Sequence, residues 1–299
     1  MDLVDDIEEI KEEKEYLSPF VIYNGEIQSL NVMCSDIASS VFVHGICLRD
    51  SVLCSGVNMI MADTHFKNLY QNMKQMGFGL GNFVMFDEFK RNVELLCYKN
   101  KYPTFSRLDI YCWYKTSTSV NQVCWLITQT KMNKLPYNEE YSKKILKTYT
   151  EGVVSKSKWI NIKMSNVVES MADMAVKSEG YWGACIINEN KDIIRTTRGN
   201  LFLIAKEDVG ASIIAVKTEG GAYNDALMEK LDYTLYKLKY KVNSVMGITN
   251  DMIDKSLGAF VLDSSIGLHV LHGIDKVRYS NRGLTNDILE QFKTTIFQQ

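Results

Sequence analysis

The sequence predicts a mixed α/β (α+β) chain in two domains, an N-terminal α/β domain over residues 20–130 and a larger, β-rich α/β domain over 141–299. Three observations carry this reading. Strand-like apolar runs separated by turn residues recur along the chain, beginning with Phe20-Val-Ile-Tyr and the hairpin signal Asn24-Gly25. Amphipathic helical runs are interleaved with them. The polar stretch Lys131 to Glu140, which contains Pro136, interrupts the pattern and reads as a linker. At 299 residues the chain is long enough for two ordinary domains.

The composition narrows the function classes. Apolar residues make up 46% of the chain, with no apolar run long enough to span a bilayer. A net charge of −2 gives no electrostatic ground for a nucleic acid or an anionic membrane as partner. The seven cysteines are odd in number, lack Cys-x-x-Cys spacing and sit among apolar neighbours, so buried free thiols in a reducing compartment are expected. The N-terminus is acidic and shows no secretory or transit pattern, and a cytoplasmic location follows.

Residues 2–16 carry Leu3, Ile7 and Ile10 at helical spacing and read as a short acidic helix or a frayed tail, closed by Ser18-Pro19. Asp63 is placed as the N-cap of a helix running to Met76 before Gly77, with His65 as a capping or packing residue. Residues 86–101 form a second amphipathic helix, with Phe86, Phe89, Val93, Leu96 and Cys97 on one face. Strands follow at 107–114 and 122–130, with Trp113 and Trp125 as packing residues. A helix or strand covers 141–154. Val167, Val168, Met171, Met174 and Ala175 recur at helical spacing until Gly180 ends the run. Strands are expected at 184–187, 193–194, 201–204 and 212–216. Gly220-Gly221 precedes a helix reaching Leu238, and backbone N–H groups at such a helix start suit a phosphate. Thr249 caps a short helix. A strand–loop–strand unit spans 259–271, and His269 and His272, three apart on a strand, face opposite sides and cannot share one metal ion. No metal site is expected.

Lys163-Met-Ser-Asn166 ahead of a helix, Gly180-Tyr-Trp-Gly-Ala184-Cys-Ile-Ile187 and Asn200-Leu-Phe202 together resemble the core of the fold-type IV pyridoxal-phosphate enzymes. These are the branched-chain and D-amino acid aminotransferases and the 4-amino-4-deoxychorismate lyases. The resemblance runs from about Phe20 to Phe292. It implies a two-domain aminotransferase-like fold, pyridoxal 5'-phosphate as cofactor, and an amino acid, amine or 2-oxo acid as substrate. A homodimer whose subunits complete each other's pocket is implied as well. Lys163 inherits the role of the Schiff-base lysine. Asn200 lies at a cofactor-contact position, and Gly221, Ala222 and Tyr223 inherit the phosphate turn. Ser264 replaces the phosphate-binding threonine and keeps its hydroxyl, with Ser265 beside it.

Other positions depart from the family pattern. Arg195 stands where the family has the acidic residue that faces the pyridine nitrogen. Asn68 stands where it has the phosphate-binding arginine, and Tyr223 has lost the threonine hydroxyl of the turn. Arg49 replaces a glycine and is either a phosphate cation from a new direction or a surface residue. A Schiff-base lysine needs a lowered pKa, which a buried pocket beside a cation supplies. A permanent cation at the pyridine nitrogen would leave the ring a poor electron sink. Three readings follow: a pyridoxal-phosphate aminotransferase or lyase, a degenerate relative acting as a binding or regulatory protein, and an enzyme that uses the pocket without the cofactor.

Overall fold

The computed structural model describes residues 16–30, 47–101, 103–115, 122–133, 143–280 and 282–296. The acidic segment at the N-terminus and most of the expected linker lie outside the described residues. The first sheet holds β1 (Tyr16–Leu17), β2 (Phe20–Tyr23), β3 (Glu26–Ser29), β4 (Leu48–Ser55), β5 (Asn58–Met59), β6 (Phe105–Lys115) and β7 (Gln122–Met132). Their order is β3-β2-β7-β6-β4-β5, with β1 beside β7. The β2–β3 hairpin turns at Asn24 and Gly25, whose φ values of 49° and 93° are what an Asn-Gly pair tolerates.

Helices α1 (Ala62–Gln75) and α2 (Phe86–Lys99) bury Leu69, Met73, Phe89, Val93 and Leu96 against this sheet. The helix at 62–75 differs from the sequence reading at its start. Met61, with φ 56°, occupies the N-cap without a side-chain bond, and Asp63 lies in the first turn, where its charge suits the positive helix end. Trp113 and Trp125 are both buried, but on opposite faces of the sheet: Trp125 with Val93 and Ile127, Trp113 with Val21 and Cys124.

The second sheet has the order β10-β9-β8-β16-β17. It is made of β8 (Ile145–Thr148), β9 (Gly183–Ile187), β10 (Ile193–Thr196), β16 (Gly273–Ile274) and β17 (Val277–Arg278). The third sheet, ordered β13-β12-β11-β14-β15, is made of β11 (Asn200–Lys206), β12 (Ala211–Val216), β13 (Lys241–Val245), β14 (Ser256–Asp263) and β15 (Gly267–Val270). Its central strands are buried on both sides, which explains their unbroken apolar runs. Phe202, Ile204, Phe260 and Leu262 face one cluster, while Leu201, Leu203, Ala259 and Val261 face another. The Phe202 and Phe260 rings stack at 4.9 Å. Helices α4 (Met228–Lys237) and α6 (Gly283–Ile296) close that side with Leu231, Leu235, Ile288 and Phe292. Thr249 caps α5 (Asn250–Asp254) through Met252 N–H.

Helix α3 (Val167–Ser178) starts four residues after Lys163. The cap is Asn166, whose side chain accepts the N–H groups of Val168 and Glu169. The buried face of α3 takes in only part of its apolar run, Val168 and Ala175, which pack against the cluster of Ala172, Val176, Ala184 and Ile186. Val167, Met171 and Met174 are 74%, 55% and 73% exposed, while Ala172 and Val176 are buried. The inward face carries Glu169, Ala172, Asp173 and Val176, because Arg195 and Arg198 lie beneath it and need the two carboxylates.

Candidate active site

Lys163 lies in the seam between the first sheet and the other two. Its carbonyl accepts Arg49 N–H at 2.8 Å, and Ser165 N–H bonds to Cys47 O at 2.8 Å, so this segment runs along β4 as an added rung. The amine points at acids. Nζ is 2.6 Å from Asp225 Oδ2, 2.8 Å from Asp263 Oδ2 and 3.2 Å from Ser264 Oγ. Burial opposes its charge, but Asp225, Asp263 and Asp50 outweigh burial and hold the amine above the usual lysine range. This is the reverse of the expected lowering, because the counter-charges around it are carboxylates and not a cation.

Asp225 is the buried partner. Burial alone would raise its carboxyl, but Lys163 and the N–H groups of Leu227 and Ser264 hold it below the usual range. Behind Lys163, His65 Nδ1 meets Asp50 Oδ2 at 2.7 Å, and His65 is a buried packing residue paired to that acid.

Arg195 is buried and fully engaged. Its Nε and Nη2 reach Glu169 Oε1 at 2.9 and 2.5 Å, and its Nη1 donates to Ile160 O at 2.9 Å and Gly221 O at 2.7 Å. Its guanidinium lies 4.6 Å from the centre of the Tyr223 ring, a cation–π distance. Tyr223 in turn donates its hydroxyl to Glu169 Oε2 at 2.6 Å. Burial pushes the Tyr223 phenol up despite the nearby Arg195. Arg195, Glu169 and Tyr223 thus bond to one another, with Arg195 and Tyr223 buried and Glu169 at the cavity edge.

The glycine turn has few donors to offer. Gly221 takes φ 120°, and a Cβ there would come within 2.9 Å of Ile194 Cδ1, so only glycine suits the site. Gly221 N–H bonds to Thr218 O at 3.1 Å and Ala222 N–H to Lys217 O at 3.3 Å. Tyr223 N–H donates to Asn200 Oδ1 at 2.7 Å, while Asn200 Nδ2 donates to Tyr223 O at 2.9 Å. Asn200 is therefore the residue that fixes the turn. Ser265 gives its N–H and hydroxyl to Asp263 Oδ1 at 2.8 and 2.5 Å. Arg49 is exposed, with its guanidinium 5.6 Å from the Tyr111 ring centre. Asn68 exchanges two 3.4 Å contacts with Asn224.

The sequence reading missed Glu169, Asp225 and Asp263, the acids that organise this site. Asp225 alone left a trace, as the acid just ahead of a helix. The cysteines are not rival nucleophiles: the six described are buried and free, and burial pushes the Cys47 thiol up to about 11. Among the described residues no group of His, Cys, Asp and Glu could hold a metal ion, and no helix is long and apolar enough to cross a membrane.

No protein-family model matches the chain, and no curated protein does. Solved structures match it over nearly its whole length. The T.th. branched-chain amino acid aminotransferase, solved with pyridoxamine 5'-phosphate, superposes with a TM-score of 0.79 at 13% identity, covering 93% of this chain and 94% of that one. The Escherichia coli branched-chain enzyme gives 0.80 at 11% identity, covering 93% and 94%. A Legionella pneumophila chain provisionally assigned as a 4-amino-4-deoxychorismate lyase gives 0.69 at 16%, covering 83% and 91%. The chain has the fold-type IV fold.

The fold-type IV resemblance implies pyridoxal 5'-phosphate, and the residues of this site do not fit it. On the Asn68 side of Lys163 the void, lined also by Asp50, His65 and Asn224, is about 10 Å³, room for one water. On the Tyr223 side, bordered by Arg49, Glu169, Thr196, Asp263 and Ser265, the cavity is about 160 Å³. Pockets that enclose drug-sized ligands start at roughly 300 Å³. The Tyr223 ring and the Arg195 guanidinium occupy the interior between Glu169 and the turn, and every backbone donor of the turn has an internal acceptor.

Proposed function

We propose that the chain is a small-molecule-binding protein built on the fold-type IV scaffold, one that works without pyridoxal 5'-phosphate. The observation that carries the reading is the pairing of Lys163 with Asp225 and Asp263, which keeps its amine charged. A charged amine has no lone pair with which to attack an aldehyde. The ligand is a compact amino acid or amine in the 160 Å³ cavity, which Asp50, Glu169 and Asp263 border on one hand and Arg49 on the other. The aminotransferase neighbours, named for amino acids, support that ligand class.

The second reading is a pyridoxal-phosphate aminotransferase or lyase. It is favoured by a lysine at the expected place, four residues ahead of α3, and by a neighbour solved with pyridoxamine 5'-phosphate. An absorption spectrum before and after borohydride, with peptide mapping of Lys163, separates the two. A colourless protein that takes up no added cofactor is the expected result. An aldimine band lost on reduction, with the label on Lys163, would sink the cofactor-free reading. The homodimer implied by the resemblance and a cytoplasmic location, which the buried free thiols favour, complete the proposal.

A further inference from the structure

We infer that the chain carries a second ligand site, apart from the Lys163 cavity, and that it takes a small organic anion: an apolar body bearing a phosphate or a carboxylate. The site is a cavity of about 540 Å³, against about 160 Å³ beside Lys163, and its size is within the range of small-molecule pockets. It opens at the seam between the helix layer of the first sheet and the rest of the chain, a place where such pockets preferentially form. Gln75, the last residue of α1, forms one side. Lys156, Lys158 and Ile160 come from the segment between β8 and α3. Thr218 and Glu219 come from the 3₁₀ turn Thr218–Gly220 that follows β12.

The walls are fastened to one another. Gln75 Nε2 donates to Lys158 O at 2.7 Å, tying the segment to α1, and Asn161 O accepts Asn224 N–H at 3.2 Å. Ile160, 8% exposed, is the apolar wall, and its carbonyl accepts Arg195 Nη1 at 2.9 Å on the far side. The lining sets the ligand class. Two ammonium groups, Lys156 and Lys158, stand against one carboxylate, Glu219, which accepts the Thr218 hydroxyl at 3.3 Å. The Lys158 ammonium lies 4.8 Å from the centre of the Trp159 ring, a cation–π distance that steadies it. The lysine stems and Ile160 offer apolar contact to the body, and the ammonium groups suit the oxygens of an anionic head. The smaller cavity has the reverse balance, with Asp50, Glu169 and Asp263 against Arg49 and Lys163, so the two select different ligands.

Anilinonaphthalene sulfonate, an aromatic anion that fluoresces in apolar surroundings, is the probe, and phenylnaphthylamine, which lacks only the sulfonate, is the neutral control. The full chain is expected to bind the anion saturably and about tenfold more tightly than the control. Lys156→Ala with Lys158→Ala, at two exposed positions where folding is little affected, should weaken the anion about tenfold and leave the control unchanged. Thr218→Trp keeps both lysines and should abolish binding of both probes by filling the hollow. Phenyl phosphate and benzoate then compete with the bound probe, and the stronger competitor assigns the head group as phosphate or carboxylate. Anion binding that either variant leaves unchanged, a neutral control that binds as tightly as the anion, or a probe that neither competitor displaces overturns the inference. The site does not depend on the cofactor-free reading. Borohydride labelling of Lys163 defeats that reading and leaves this inference standing, whereas indifference to the lysine substitutions defeats this inference alone.

Discussion

Lys163→Met is expected to lower stability by about 3–5 kcal/mol at pH 7, because it leaves a buried carboxylate without its counter-charge. A lysine kept only for covalent chemistry would give the opposite result, since an apolar side chain would relieve a buried charge. Urea unfolding of the two proteins at pH 7 measures the difference, and a variant within about 0.5 kcal/mol of wild type, a margin typical of surface changes, would show that the amine is not clamped. The pH dependence follows from two directions. Asp225 is held below its unfolded range, so its contribution is complete above roughly pH 4 and is lost as pH falls through the folded value. Lys163 is held above its unfolded range, so its contribution is complete below roughly pH 10 and is lost as pH rises through the folded value. The deficit of Lys163→Met is thus largest near neutrality and shrinks in acid as Asp225 takes up a proton.

The second large effect is at Glu169. Glu169→Ala strips the buried Arg195 of its carboxylate partner and the Tyr223 hydroxyl of its acceptor, and a loss of about 3–5 kcal/mol is expected. Glu169→Met and Arg195→Met together should lose clearly less than the sum of the two single variants, since the pair then carries no orphaned charge, although the Tyr223 hydroxyl still lacks its acceptor. Denaturant midpoints of the wild type, the two single variants and the double variant form a double-mutant cycle. A double variant as damaged as the sum of the singles would mean that Arg195 and Glu169 act independently.

Much of the fold was legible because its strands are written in residues buried on both faces. The run Leu201 to Ile204 has no alternative placement once Phe202 and Leu203 must face separate clusters. The turn was legible for a similar reason: Gly221 and Asn200 answer backbone demands that few residues meet. The rotation of α3 was not legible. Apolar spacing favours burying Val167, Met171 and Met174, and the helix instead turns Glu169 and Asp173 inward because two arginines wait there. Local periodicity cannot register a charge that is supplied by a strand 26 residues away. The same holds for Lys163, whose character is set by Asp225 and Asp263, 62 residues and more along the chain.

The hydrogen bonds among Arg195, Glu169 and Tyr223 make substitutions at these three positions depend on one another. Arg195→Glu sets a second carboxylate against Glu169 and withdraws the guanidinium from the Tyr223 ring, Ile160 O and Gly221 O. That variant is expected to be less stable than the wild type, because two like charges then stand in the interior. Substitutions there are conditional on one another, so their effects differ in sign with their order.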